Sequence, residues 1–238
     1  MPLSTSWIPE WPVPDKTKIR PAATLVLLRE SADGLEALLL RRHSASRVGS
    51  GAWVFPGGVV EEEDYRGGDD IEAAARCAAV RETTEEASIT VPLDSLRLIS
   101  HWTTPDAPEV SKKRFATWFF LSVEPVDEIV VDGEEIDAYA WYSPAQAIAD
   151  HQSGVLKLMP PTLVTLTELQ HCKTLADAQA FYAQRSAPYI NPRMAMQGEK
   201  ICMLYEGDAG YENTDSAAEG LRNRCWLEGS YWRYEFLN

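Results

Sequence analysis

Two apolar runs rich in Leu, Val and Ala, at 22–29 and 35–42, give the chain its first clear pattern. The link between them is Glu30-Ser31-Ala32-Asp33-Gly34. Asp-Gly in a short polar link is a hairpin signal, because glycine supplies the positive φ such turns need. A short apolar strand at 53–55 ends at Pro56 and runs into Gly57-Gly58. After an acidic segment, Ala73, Ala74, Ala75, Cys77, Ala78, Ala79 and Val80 predict a compact helix over about 71–87, with Asp69 and Asp70 before it as N-caps. Segments 96–102, 114–123 and 137–142 pattern as strands, and Ser143-Pro144 opens a short helix to about residue 150. Beyond residue 152 the pattern turns helical: Pro160-Pro161 start a helix over 162–172, and Thr174 to Asp177 open another to about 185. Strand-like sequence returns at 200–205. In the tail, Trp232, Tyr234 and Phe236 alternate with Arg233 and Glu235, the period of a half-buried strand. These aromatics read as core or dimer contacts.

Chemistry enters at Arg81-Glu82-Thr83-Thr84-Glu85-Glu86. Helical residues three and four apart share a face, so Glu85 and Glu86 are expected one turn beyond Glu82 on the same side. Carboxylates packed together raise one another's pKa unless a cation is present. Hard divalent ions such as Mg²⁺ take such oxygen ligands and keep waters and substrate phosphates in their other positions. Glu-Glu pairs alone are more often a solvated helix face. The glycine turn upstream changes that balance: Gly57 and Gly58 lack side chains and let backbone approach phosphates.

Turn and helix together resemble the Nudix box, G-x5-E-x7-R-E-U-x-E-E-x-G-U with U aliphatic, of the Nudix hydrolase superfamily. Gly58, Arg81, Glu82, Glu85, Glu86 and Ile89 match it. Thr83 stands at an aliphatic position. Ser88 replaces the glycine that ends the helix in a left-handed conformation, which costs other residues roughly 1–2 kcal/mol. Gly58 and Arg81 lie 23 residues apart, about nine more than in the motif, so an insertion is expected at about 59–69. Counting forward from Gly58 puts Asp64 at the motif's middle glutamate; counting back from Arg81 puts Ala73 there. The resemblance implies an α/β Nudix fold, a mixed β-sheet sandwiched between α-helices, with a helical C-terminal extension. Residues 1–19 would form an extended arm, 20–152 the Nudix domain, and 153–238 the helical extension and aromatic tail packed on it. It further implies that Glu82, Glu85 and Glu86 hold Mg²⁺ (or Mn²⁺) and that Arg81 orients the glutamates by ion pairing. Glu135, in the loop before the last sheet strand, would assist the metal or the attacking water, with Glu134 the alternative. Either Glu82 or Glu135 would accept the proton.

Guanidinium forks bind phosphate bidentately, which makes Arg42, Arg47 and Arg114 candidate substrate ligands. Residues 39–47 with Gly51 partly resemble the coenzyme A signature of some Nudix diphosphatases, although Gly49 and Ala52 replace its histidine and glutamate. His101-Trp102-Thr103-Thr104-Pro105 and the strand from Arg114 to Phe120 resemble the peroxisomal coenzyme A diphosphatase-like branch and its bacterial relatives. That branch implies coenzyme A or an acyl derivative as substrate, cleaved to 3′,5′-ADP and 4′-phosphopantetheine. Other nucleoside diphosphates such as ADP-ribose or NADH, and a Nudix-fold ligand sensor without turnover, are the alternatives.

Charge sharpens this picture. With 22 Lys and Arg against 36 Asp and Glu, the net charge is −14, which argues against nucleic acid and anionic membrane as partners. A phosphate substrate then needs a metal or local arginines. Apolar stretches are strand-length, short of a membrane span. Pro2, Pro9, Pro12 and Pro14, with Trp7 and Trp11, read as an arm rather than a signal peptide. Cys77, Cys172, Cys202 and Cys225 form no C-x-x-C pair, as expected of reduced thiols in a cytoplasmic protein. A homodimer, with the Trp-rich arm as contact, accords with the family.

Overall fold

A computed structural model describes residues 19–44, 49–107 and 113–237; the arm expected at 1–19 falls almost wholly outside them. β1 (Ile19–Ser31) and β2 (Gly34–Arg42) form the expected hairpin, Ser31 facing Gly34. Both strands are buried on two sides. Ala23, Leu25, Leu27, Leu38 and Leu40 point into one core, while Val26, Leu28, Ala37 and Leu39 point into another. Strands covered on both faces read as continuous apolar runs, hence the Leu-rich sequence.

The main sheet has eight strands in the order β3-β2-β1-β6-β5-β8, with β4 paired to β1 and β7 to β2. β3 is Trp53–Val54, β4 Gly57–Val59, β5 Arg97–Thr103, β6 Arg114–Ser122, β7 Ile136–Tyr142 and β8 Tyr189–Ile190. β1–β6 and β5–β8 run parallel and the other pairs antiparallel, so the sheet is mixed. α1 (Ile71–Ala87) covers one face. Its buried Ala74, Ala75, Ala78 and Ala79 lie in one core with Leu25, Trp118 and Phe120, and the small side chains let helix and sheet approach closely. The opposite face is covered by α2 (Pro144–Gln152), α3 (Pro160–Leu169) and α4 (Leu175–Ala183).

Beyond α4 the extension is not helical. β9 (Arg193–Gln197), β10 (Lys200–Leu204), β11 (Arg222–Glu228) and β12 (Tyr231–Leu237) make an antiparallel sheet ordered β12-β11-β10-β9. The sequence pattern marks β10 and β12 and misses β9 and β11, whose polar residues hide the strand period. Met203 and Cys225 of this sheet share the core of Leu28, Trp102 and Leu166. The Trp102 and Tyr205 rings meet edge-on at 5.4 Å. His151 of α2 ties the layers together, its Nδ1 accepting from Leu158 N at 3.1 Å and its Nε2 lying 2.9 Å from Trp232 O. Among the described residues no helix is long and apolar enough to cross a membrane, and all four cysteines are free.

Candidate active site

α1 starts where Asp70 Oδ1 accepts from Glu72 N and Ala73 N, at 2.9 and 3.2 Å. It ends at Ser88 in the left-handed region, φ 58°. The strain there is offset by Ser88 Oγ, which donates to Val130 O at 3.1 Å. Thr83, fully buried at an aliphatic position of the motif, satisfies its hydroxyl by donating to Ala79 O at 2.7 Å. Both departures are therefore accommodated locally.

The three glutamates do not share one environment. Glu86 is buried, Glu82 half-buried and Glu85 exposed. Glu86 Oε2 accepts from Gly57 N at 2.9 Å, which joins the glycine turn to the helix. A Cβ at Gly57, where φ is 153°, would lie 2.7 Å from Thr24 Cα, so that position requires glycine; one at Gly58 would push the Glu82 carboxylate aside. Burial, reinforced by the charges of Glu82 and Glu135, pushes the Glu86 carboxyl up to about 8 despite the Gly57 N–H and the Arg42 charge. Burial also raises Glu82, against the opposing pull of Arg81.

Arg81 is the hub. Its Nε and Nη2 donate to Asp64 at 3.1 and 3.0 Å, Nη2 also to Val59 O at 2.9 Å, and Nη1 to Glu82 and Glu85 at 3.0 and 3.2 Å. Asp64, chiefly through those hydrogen bonds, holds the guanidinium above its ordinary range. Asp64 is the residue that sequence counting left open. It is buried in the short 3-10 turn Glu62–Tyr65, and its Oδ2 accepts from Glu61 N at 2.8 Å. Ala73 is exposed in the first turn of α1. The count forward from Gly58 was the usable signal, because the extra residues follow Asp64 rather than precede it.

Glu135 stands across from the helix. Asp132 Oδ1 accepts from the backbone N–H of Glu134, Glu135 and Ile136 and so fixes the loop. Of the two loop glutamates, Glu135 is the one whose charge acts on Glu82 and Glu86. Arg42, at the end of β2, lies 3.6 Å from Glu135 through Nη2 and is the cation that pulls on Glu86. Arg114 is placed differently. Its Nε donates to Thr104 O at 3.1 Å and its Nη1 lies 3.4 Å from Asp106, at the link between β5 and β6, and among the described residues no ion pair joins it to the glutamates. Arg47 lies outside the described residues.

A divalent ion suits this donor set by chemistry: hard carboxylate oxygens around buried, insufficiently neutralised charge. Among the described residues no three His, Cys, Asp or Glu side chains converge as a metal site, and Arg81 Nη1 donates to both Glu82 and Glu85. Coordination by all three requires those two to turn from Arg81.

A mixed sheet, a glycine turn and an Arg-Glu-x-x-Glu-Glu helix together define the class. The NUDIX domain model matches residues 18–160, more than half of the chain, which belongs to the Nudix family and is a hydrolase of that kind. It is similar to a nudix hydrolase 7 of Caenorhabditis elegans, 26% identical over 241 residues, covering 85% of this chain and 78% of the relative. It is also similar to the acyl-coenzyme A diphosphatase NUDT19 of Xenopus laevis, 29% identical over 96 residues, which is 39% of this chain and 25% of that protein. The crystal structure of a NUDIX hydrolase from Alicyclobacillus acidocaldarius superposes with a TM-score of 0.61 at 27% identity, over 68% of this chain and 96% of that one. Nudix hydrolases generally use divalent metal ions.

Proposed function

We propose that this chain hydrolyses a diphosphate linkage in a nucleoside diphosphate derivative, with water attacking phosphorus, and that its substrate is coenzyme A or an acyl-coenzyme A. The products would be 3′,5′-ADP and a 4′-phosphopantetheine. The observation that carries the hydrolytic reading is the Gly57 N–H bond to buried Glu86, which sets a side-chain-free backbone edge against the carboxylate face. Glu82, Glu85 and Glu86 hold Mg²⁺ or Mn²⁺. When bound, such an ion neutralises phosphate charge and lowers the pKa of water. Glu82 or Glu135 accepts the proton, Arg81 orients the glutamates by ion pairing until the ion takes Glu82 and Glu85, and Gly57 and Gly58 allow close approach of the phosphates. Arg42 meets a phosphate oxygen from the opposite wall. Arg114, engaged with Thr104 and Asp106, would reach only a distal part of the substrate, and Arg47 is proposed on its sequence position alone.

The coenzyme A assignment draws its support from the partial likeness to the acyl-coenzyme A diphosphatase of Xenopus laevis and from the degraded coenzyme A signature. ADP-ribose and NADH are the competing substrates. Product analysis on coenzyme A, acetyl-coenzyme A, ADP-ribose and NADH, each with and without Mg²⁺ or Mn²⁺, decides among them. Metal-dependent release of 3′,5′-ADP at the highest kcat/KM is the expected result. Preferred turnover of ADP-ribose or NADH would reassign the substrate, and tight binding without turnover of any of them would mark a ligand sensor.

A further inference from the structure

The four-stranded sheet lies on the face of the main sheet opposite α1, and its outer surface carries a feature the hydrolase reading leaves unused. Directly opposed residues share a face: Arg224 faces Glu235, and Trp226 faces Arg233 on β12 and Cys202 on β10. Neighbouring Cys225 and Tyr234 turn into the core. A cavity of 390 Å³ opens on the outer side, lined by Lys200, Arg222, Arg224 and Arg233 together with Glu228 and Glu235. Counting Asp208, which pairs Arg224 from beneath, four cations meet three carboxylates. That excess of positive charge stands out in a chain of net charge −14.

The cations are held in place. Arg224 Nε donates to Asp208 Oδ2 at 2.7 Å and Nη1 to Ser216 O at 2.6 Å. Arg222 Nη1 donates to Ala218 O at 2.7 Å, and Arg233 Nε to Glu228 at 2.8 Å. Arg222 Nε and Arg233 Nη1 also lie 3.8 and 3.5 Å from Glu235, so both use Nε and Nη1 within the protein, while a guanidinium offers five N–H donors in a fixed fork. Lys200 adds an exposed ammonium. Fixed forks plus a mobile ammonium match the tetrahedral oxygens and double charge of a phosphate monoester better than a planar monoanionic carboxylate.

We propose that this cavity binds a phosphate monoester, at a site separate from the glutamates of α1. The test is titration of the full chain, dialysed free of divalent ions, with ribose 5-phosphate, inorganic phosphate and unphosphorylated ribose. It is followed by calorimetry and by the indole N–H resonance of Trp226. Saturable binding of the two phosphates, with a shift of the Trp226 signal and no response to ribose, is expected. The double variant Lys200→Gln with Arg222→Gln should bind about tenfold more weakly, the loss expected from removing charge-assisted hydrogen bonds, and Glu86→Gln should bind as wild type does. Absence of a saturable phosphate response in wild type overturns the proposal, as does an equal response to ribose or unchanged affinity in the double variant. Should that variant fail to fold, the wild-type comparison of phosphates with ribose decides alone.

Discussion

Arg224 and Arg81 each gather carboxylates and backbone carbonyls, but under opposite conditions. Arg224 is 1% exposed and grips Asp208 through two nitrogens, while Asp208 also accepts from Gly210 N and Asn223 N at 2.8 and 2.9 Å. Burial alone would raise the Asp208 carboxyl, yet Arg224 and those N–H groups hold it below its ordinary value. Arg81 is open to solvent on one side and divides itself among Asp64, Val59 O, Glu82 and Glu85. Burial holds Glu82 and Glu86 above the usual carboxylate range, and Arg81 opposes it only in part, at Glu82. A closed, saturated pair fixes structure. An open one, with more carboxylate than guanidinium to serve, keeps a demand for positive charge that an ion can meet.

The contrast breaks first at Glu86. Glu86→Gln should lower turnover by about 10²–10⁴-fold, since it removes charge needed for metal and proton chemistry, while thermal unfolding stays near wild type; steady-state kinetics beside calorimetry read both. Loss of the fold in that variant would give Glu86 the role assigned here to Asp208. Asp208→Ala is the mirror experiment. Leaving Arg224 buried and unpaired should cost about 3–5 kcal/mol and lower the melting temperature by roughly 10 °C, with turnover per folded molecule little changed. A smaller effect is expected of Asp64→Asn, whose amide N–H must face a donor from Arg81 or Glu61: kcat should drop about tenfold and stability should fall by about 1–3 kcal/mol. A large change in KM with unchanged kcat would place Asp64 in substrate binding instead.

Stability should also depend on pH. Burial lowers the His101 pKa to about 4, so folding favours the neutral ring and the unfolded chain takes up the proton first. Its contribution is fully present above the unfolded value near 6.5 and is lost as pH falls toward 4. The lowered Asp208 pKa places its own loss below the ordinary Asp value near 3.8. Denaturant melts of wild type and His101→Gln between pH 7 and 4 should therefore converge as the solution is acidified. Parallel curves would remove His101 as the source.

Much of this was legible in the residues. The hairpin, the Nudix helix with its Asp70 cap and left-handed Ser88, and the strands through β7 follow from local period and capping, except β4, where the expected glycine turn Gly57-Gly58 instead pairs with β1 as a short strand. The association of Gly57-Gly58 with Glu82 and Glu86 was legible only through the resemblance to the Nudix box. The sheet of β9–β12 was half hidden, because β11 alternates Arg222, Arg224 and Trp226 on a face whose charges are satisfied by the loop that precedes it. The role of Asp64 was hidden by the insertion, which breaks the motif's spacing.

By itself the sequence determined most helices and strands up to α4 and which chemistry the glycines and helix carry, because hydrophobic period, caps and motif spacing act over a few residues. Only the tertiary structure decided that Glu86 is buried while Glu85 is exposed and that Arg81 is anchored by Asp64. The same holds for Glu135 and Arg42, which close the site from β7 and β2, and for Asp208, which neutralises Arg224. Those facts depend on burial and on charges brought together from far along the chain, and no local pattern encodes either.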